Sequence, residues 1–328
     1  MSQAAANKEV VRRFLLAIAA KDVATMRSVL APEAHLSLMV AGVYSPHLQA
    51  FPGGIHWDRD GLIAREIDFQ QQLREPLALQ TLTLIAEGDS VVAAVLGKGH
   101  RAVIGTPYIQ HYSYHFQMSR GLIADIRLYQ DTFHHWQVWS GLGAGVEPAY
   151  MRPRKLATIP PEQTDDPASA SAVPEDQVAA NKISVRRFLT AVRNRDPQAT
   201  REAWSPDGIW SFAIGGEYSP RLRAFEGAPR WDLEGMVYMT QNANKSPQEP
   251  LHLDVYSLVA EGNQISAEAL GFLVRANGRA YRQHYSFHFK ARQGKLIEGH
   301  VYQDTLHQYD VTLDPPAGGP VAARTSVV

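Results

Sequence analysis

Cysteine is absent from the 328-residue chain, which excludes disulfides, thiolate nucleophiles, cysteine-ligated zinc and iron–sulfur clusters together. Long apolar runs are absent as well, since no stretch approaches the ~18 residues that cross a bilayer. The N-terminus from Met1 to Glu9 has neither a basic nor an apolar leader segment, so no secretory signal is predicted. Neither sign of charge dominates: Lys plus Arg number 32 against 33 Asp plus Glu, a formal net charge of −1. With no basic run, a phosphate-backbone partner is not expected. The chain is 45 % hydrophobic and 20 % charged, close to the globular average, which excludes wholesale disorder. At ~150 residues per domain, the length points to about two domains. The expectation is a cytoplasmic protein with no membrane and no nucleic-acid partner.

The strongest positive signal is internal repetition. Asn7-Lys8 through Arg12-Arg13-Phe14 recurs as Asn181-Lys182 through Arg186-Arg187-Phe188. The same offset of 174 relates Tyr44-Ser45-Pro46 to Tyr218-Ser219-Pro220, Trp57-Asp58 to Trp231-Asp232, Glu75-Pro76-Leu77 to Glu249-Pro250-Leu251, and Glu87-Gly88 to Glu261-Gly262. After one lost residue the offset is 173, relating Gln110-His111-Tyr112-Ser113 to Gln283-His284-Tyr285-Ser286 and Tyr129-Gln130-Asp131-Thr132 to Tyr302-Gln303-Asp304-Thr305. A period this long fits two copies of one domain, predicted at 1–146 and 176–314. Residues 147–175, rich in Pro and Ala, read as a linker, and 315–328 as a flexible tail.

Within each copy the elements are ordered. Val10, Phe14, Leu15 and Ile18 mark an amphipathic helix over 3–20. Asp22 caps a second short helix through Leu30, a strand covers 35–43, and Asp58 or Asp60 caps a third helix through about Leu73. Strands follow at 77–86, 90–100, 108–118 and 122–131. Helices followed by a run of strands predict an α+β fold, a curved, mostly antiparallel sheet wrapped on about three helices.

This order, with its ending Gly121, Ile123, Tyr129, Asp131 and Thr132, resembles the SnoaL-like, ketosteroid-isomerase-like branch of the nuclear transport factor 2-like superfamily. The resemblance covers both halves and implies two tandem cone-shaped domains, each around a mostly apolar pocket, packed as a pseudo-dimer. It does not carry function, because the fold hosts isomerases, polyketide cyclases, dehydratases and plain binding modules. The steroid isomerase's phenolic donor falls near Phe14 and Phe188, its base near Leu38 and Phe212, and its protonated carboxyl near Ser113 and Ser286. None of the three groups is kept.

The last hairpin of each copy supplies the candidates. If Arg120-Gly121 forms a two-residue turn, cross-strand partners sum to 241. His111, Ser113 and His115 then share a face with Ile126, Leu128 and Gln130, the positions that line the pocket in the resembled isomerases. The second copy repeats this with His284, Ser286, His288, Val301 and Gln303. Histidine titrates near neutrality and suits acid–base work. The expectation is therefore a cofactor-independent lyase, isomerase or cyclase acting on a small hydrophobic carbonyl or hydroxyl compound. Its catalytic groups would be His111, His115, His284 and His288, and its binding groups Ser113, Gln130, Tyr44, Trp57, Ser286, Gln303, Tyr218 and Trp231.

The alternative is a ligand-binding or assembly module using the same pocket without chemistry, in which the histidines pack. No metal is expected: His111 and His115 are about 13 Å apart along a strand, too far to share a zinc with ~2.1 Å bonds. Asp131 and Asp304 read as structural, partnered by Gln110 and Gln283, and Asp125 with Arg127 as an outward pair. Trp57-Asp58 reads first as a packed aromatic and a helix cap, with a lid over the pocket as the functional alternative. His134-His135 reads as a solvated or interface pair. Because His35, Leu36 and His56 become Ile209, Trp210 and Arg230, the two pockets differ, and the fuller polar set favours the first. Further self-association stays open.

Overall fold

A computed structural model describes residues 2–40, 55–103, 105, 107–140, 174–213, 230–242, 251–275 and 278–312. The first half runs α1 (Gln3–Ala20), α2 (Val23–Val29), β1 (Leu30–Leu38), β2 (His56–Asp58), α3 (Arg59–Gln71), β3 (Ala78–Glu87), β4 (Ser90–His100), β5 (Pro107–Ser119), β6 (Leu122–Gln130) and α4 (Thr132–Ser140). The second half repeats it as α5 (Glu175–Asn194), α6 (Pro197–Ala203), β7 (Trp204–Phe212), β8 (Arg230–Trp231), α7 (Leu233–Asn242), β9 (His252–Glu261), β10 (Gln264–Val274), β11 (Ala280–Arg292), β12 (Lys295–Gln303) and α8 (Thr305–Thr312). Each half builds one six-stranded sheet, ordered β2-β1-β6-β5-β4-β3 and β8-β7-β12-β11-β10-β9. All pairings are antiparallel except β1 with β6 and β7 with β12. This is the expected α+β architecture, and neither sheet closes.

Local chemistry sets the helices. Ser2, Asp22 and Asp58 accept from Ala5 N, Thr25 N and Gly61 N at 3.2, 3.0 and 2.8 Å, each satisfying an otherwise orphaned first-turn amide. The α1 stripe of Val11, Phe14, Leu15 and Ile18 is buried, with Phe14 edge-on to Phe116 at 5.9 Å. β1 starts at Leu30, earlier than residue 35, because Ala31 and Ala34 already pack into the core. The helices α4 and α8 were not foreseen, since Phe133-His134-His135 carries no helical period. Asp131 and Asp304 start them by accepting from His134 N and His307 N, both at 3.0 Å. The predicted tail and all of the predicted linker except Pro174 and Glu175, where α5 begins, lie outside the described residues.

One departure reverses a face. Arg120 and Gly121 both have positive φ, 51° and 76°, the two-residue turn expected. Ser119↔Leu122 and Met118↔Ile123 keep the sum of 241, but the register then shifts, and Gln117↔Asp125, Tyr114↔Leu128 and Tyr112↔Gln130 follow. Ala124 is the extra residue of a β-bulge, and Ile297 repeats it between Ala291↔Leu296 and Lys290↔Glu298. Since side chains alternate with period two, one inserted residue changes which β5 residues share a face with Leu128. Tyr112, Tyr114 and Phe116 therefore point to the helix-covered core, while His111, Ser113 and His115 point to the opposite face.

On that opposite face the two sheets meet. Ser113 Oγ lies 2.9 Å from Ser286 Oγ, and because these are equivalent positions, the pseudo-twofold axis passes between them. Other contacts come in matched pairs. Glu261 receives Lys8 Nζ at 2.5 Å and Ala86 N at 2.9 Å, and Glu87 receives Lys182 and Ala260 N. Asp304 accepts from Thr132 Oγ1 at 2.5 Å, and Asp131 from Thr305. Each of these threonines in turn accepts a backbone N–H of the other half, Leu306 N and Phe133 N, at 3.0 Å. The chain is a covalent pseudo-dimer.

Candidate active site

The histidines expected in the pocket lie between the sheets, and this corrects their predicted facing. His115 Nε2 is 2.8 Å from Ser286 Oγ, and Ser113 Oγ is 2.7 Å from His288 Nε2. With the Ser113–Ser286 contact they form one buried chain across the axis. His115 Nδ1 also lies 3.3 Å from Glu268 Oε2. Glu268, fully buried, is gripped by Arg127 through Nε and a terminal nitrogen, both at 2.8 Å, and by Tyr129 OH at 2.8 Å. Burial opposes its charge, but His115 and Arg127 outweigh that and hold its carboxyl well below the ordinary range. Burial keeps His288 neutral, well below its usual pKa, and lowers His284. For His111, burial and then the neighbouring His300 bring the value down to about 4. The Ser–His–Glu spacing has the look of a nucleophile relay, but Ser286 is wholly buried against the other sheet, so no substrate reaches it.

The helix-covered side of the first half holds a narrow cleft with a cavity volume of about 10 Å³, room for a single water, so a larger ligand must displace side chains that line it. Its floor is β5, where Tyr108, Tyr112 and Tyr114 follow one face. Tyr108 and Tyr112 share a hydrogen bond of 2.9 Å, and Tyr108 OH is 3.2 Å from His135 Nδ1. Gly97 opposite makes room for the Tyr112 ring: a Cβ there would stand 2.8 Å from Tyr112 Cε2. Burial pushes all three phenols well above their ordinary value, so they stay protonated donors. His135 stacks on Trp139 at 4.3 Å, and burial, followed by the charge of Arg65, pushes it down to about 3.

Charge enters the cleft from α3. Arg65 and Glu66 both line it, and the Arg65 guanidinium is bonded to the Glu66 carboxylate. Burial works against the Arg65 charge, yet Glu66 more than offsets it and keeps the guanidinium ionised. Glu66 is only 4 % exposed. Of the predicted binding residues, Gln130 lines this cleft, because Ile126, Leu128 and Gln130 point where expected even though β5 does not. Trp57 sits at the edge, half-buried, with the Arg65 guanidinium 4.9 Å over its ring. Asp58 is the α3 cap, so Trp57-Asp58 is the packed aromatic and helix cap. His134 and His135, expected to be solvated or at an interface, are buried: the His134 ring accepts from Ile109 N at 3.3 Å and stacks on Tyr108.

The second half keeps the frame and loses the polar set. The positions of Arg65, Glu66, Tyr114 and His135 hold Met239, Thr240, Phe287 and Gln308. Trp204 and Trp210 occupy the positions of Leu30 and Leu36 and pack with Phe188, Phe287 and Phe289. Gln303 bonds Gln308, and Trp231 packs against Phe212 at 5.2 Å. Tyr44 and Tyr218 lie outside the described residues. Sequence reasoning missed Arg65 and Glu66, whose one visible signal was their failure to recur. Among the described residues, no group of three or more His, Asp or Glu could hold a metal ion, and no helix is long and apolar enough to cross a membrane.

Residues 185–299 match the family model of the SnoaL-like domain. No curated protein matches the sequence. Similar solved structures include IdmH from Streptomyces antibioticus, provisionally assigned as a polyketide cyclase: 18 % identity over 42 % of this chain and 98 % of that one, TM-score 0.34. TerC crystallised with polyporic acid is 15 % identical over 41 % of this chain and 98 % of its own, TM-score 0.36. A Bacillus subtilis protein, provisionally assigned as an isomerase, is 20 % identical over 43 % and 97 %, TM-score 0.36.

Proposed function

We propose that this chain, whose residues 185–299 match the SnoaL-like domain family model, uses the cleft of its first half for isomerase- or cyclase-type proton transfer on a small, largely apolar carbonyl compound. The carrying observation is the convergence, in one half only, of a buried carboxylate, Glu66, with the protonated phenols of Tyr108 and Tyr112. Glu66 takes a proton from the carbon next to the carbonyl. The C–H pair becomes the C=C bond of an enolate while the carbonyl π pair moves to oxygen. Tyr112, itself hydrogen-bonded to Tyr108, donates to that oxygen, a contact that strengthens as negative charge develops. Glu66 then returns the proton to carbon, and no cofactor or co-reactant is consumed. The cleft's aromatic floor, with Phe69 and Leu77 beside it, suits an aryl or polyketide-like skeleton. A cytoplasmic location agrees with this reading.

Acetophenone in heavy water provides the test. The wild-type chain is expected to speed loss of the methyl proton signal above the buffer rate, and Tyr112→Phe to slow it by about 10²-fold, the scale of one oxyanion donor. No acceleration by the wild type overturns enolising chemistry. The Arg65 clamp on Glu66 favours the second reading, small-ligand binding without chemistry, in which acetophenone binds and does not exchange.

A further inference from the structure

The two halves are an internal control for each other, and one buried amide separates them. Gln130 is 2 % exposed, lines the first cleft, and its Nε2 has no hydrogen-bond partner among the described residues. A buried amide donor with no protein partner is costly unless a water or a ligand in the cleft accepts from it, about 1–3 kcal/mol. The equivalent Gln303 is equally buried, but its Nε2 donates to the side chain of Gln308. Gln308 stands where the first half has His135, and His135 is engaged elsewhere, with Tyr108 and Trp139. One exchange between histidine and glutamine thus frees the amide in one half and consumes it in the other.

We infer that the Gln130 amide is the anchor for an acceptor oxygen of the ligand, that the residue at position 135 or 308 decides whether this anchor is available, and that one chain therefore binds one ligand. Cross-strand pairing places Gln130 directly beside Tyr112, so amide and phenol converge on the same ligand oxygen. That defines the class: a ketone, quinone or enolised phenol whose oxygen accepts two hydrogen bonds. The second half adds two further obstacles, since Phe287 replaces the Tyr114 phenol and Met239 replaces Arg65; Trp210 lies tilted against Phe287, 5.8 Å between ring centroids. His135 acts through Gln130 and is a positioning residue.

This inference rests on the first cleft being the functional site, and binding rather than turnover keeps the two apart. Calorimetric titration of the full chain with acetophenone, and with ethylbenzene as the probe of similar shape lacking the oxygen, reads both stoichiometry and anchor. One acetophenone per chain is expected. Gln130→Leu is expected to weaken acetophenone about tenfold, the loss of one good hydrogen bond, and to leave ethylbenzene unchanged. That variant removes an unpartnered donor, so its thermal midpoint should not fall. His135→Gln should cost acetophenone a similar factor, by giving Gln130 the partner that Gln303 has. If His135→Gln fails to fold, Gln130→Leu alone still decides. Two sites per chain, or acetophenone affinity unmoved in folded Gln130→Leu, overturns the inference while leaving the cleft as the site. Absence of acetophenone binding to the wild type overturns the underlying reading as well.

Discussion

Acidification is the perturbation for which the structure gives a direction and a size. Four buried histidines are held neutral, chiefly by burial: His111 down to about 4 and His135 down to about 3, with His284 and His288 lowered as well. An unfolded histidine titrates near ~6.5. Between that value and the folded ones, the unfolded chain binds more protons, so stability is fully present above about pH 6.5 and falls as the pH drops toward 4. Each such group contributes about 1.4 kcal/mol per pH unit in this window. His111 and His135 alone then approach a slope of roughly 3 kcal/mol per pH unit, and about 3 kcal/mol is lost between pH 6.5 and pH 5. That is a large fraction of the ~5–15 kcal/mol of an ordinary domain. Urea unfolding at several pH values measures the slope, and His111→Gln should flatten it by one proton. Stability independent of pH from 7 to 5, or a slope untouched in His111→Gln, refutes the reasoning, because imidazoles free to charge in the fold would give that result.

Two further perturbations address the seam between the halves. Asp131→Asn weakens the α4 cap and the bond from Thr305 together; it should cost about 1–3 kcal/mol by urea unfolding and couple non-additively with Thr305→Val. Glu268→Gln leaves Arg127 and His115 facing a neutral amide at a buried position, and about 3 kcal/mol of destabilisation is expected. Equal stability of wild type and Glu268→Gln would mean that water already screens the pair.

Much of the architecture was legible because repetition doubled each local signal: Asp22 and Asp58 marked helix starts, and Arg120-Gly121 marked the hairpin. The facing of β5 was not legible, because it hangs on single inserted residues, Ala124 and Ile297, that leave no trace in composition or turn chemistry. Repetition also misled about the site. Lys8 and Lys182, Glu87 and Glu261, Asp131 and Asp304, Ser113 and Ser286 recur because a two-fold seam uses each residue twice. Arg65, Glu66 and His135 do not recur, because the second half is packed with Trp204, Trp210 and Phe287 where the first keeps a cleft. The proposed site lies in what the copies do not share, and that contrast acquires meaning only once α3 is seen to lie over β5.

Methyl exchange of acetophenone by folded Glu66→Gln and folded His288→Gln, compared side by side, puts the cleft against the seam. Glu66→Gln is expected to fall to the buffer rate while His288→Gln keeps the wild-type rate. The opposite pattern, exchange intact without the Glu66 carboxylate and lost without the His288 ring, would contradict the assignment.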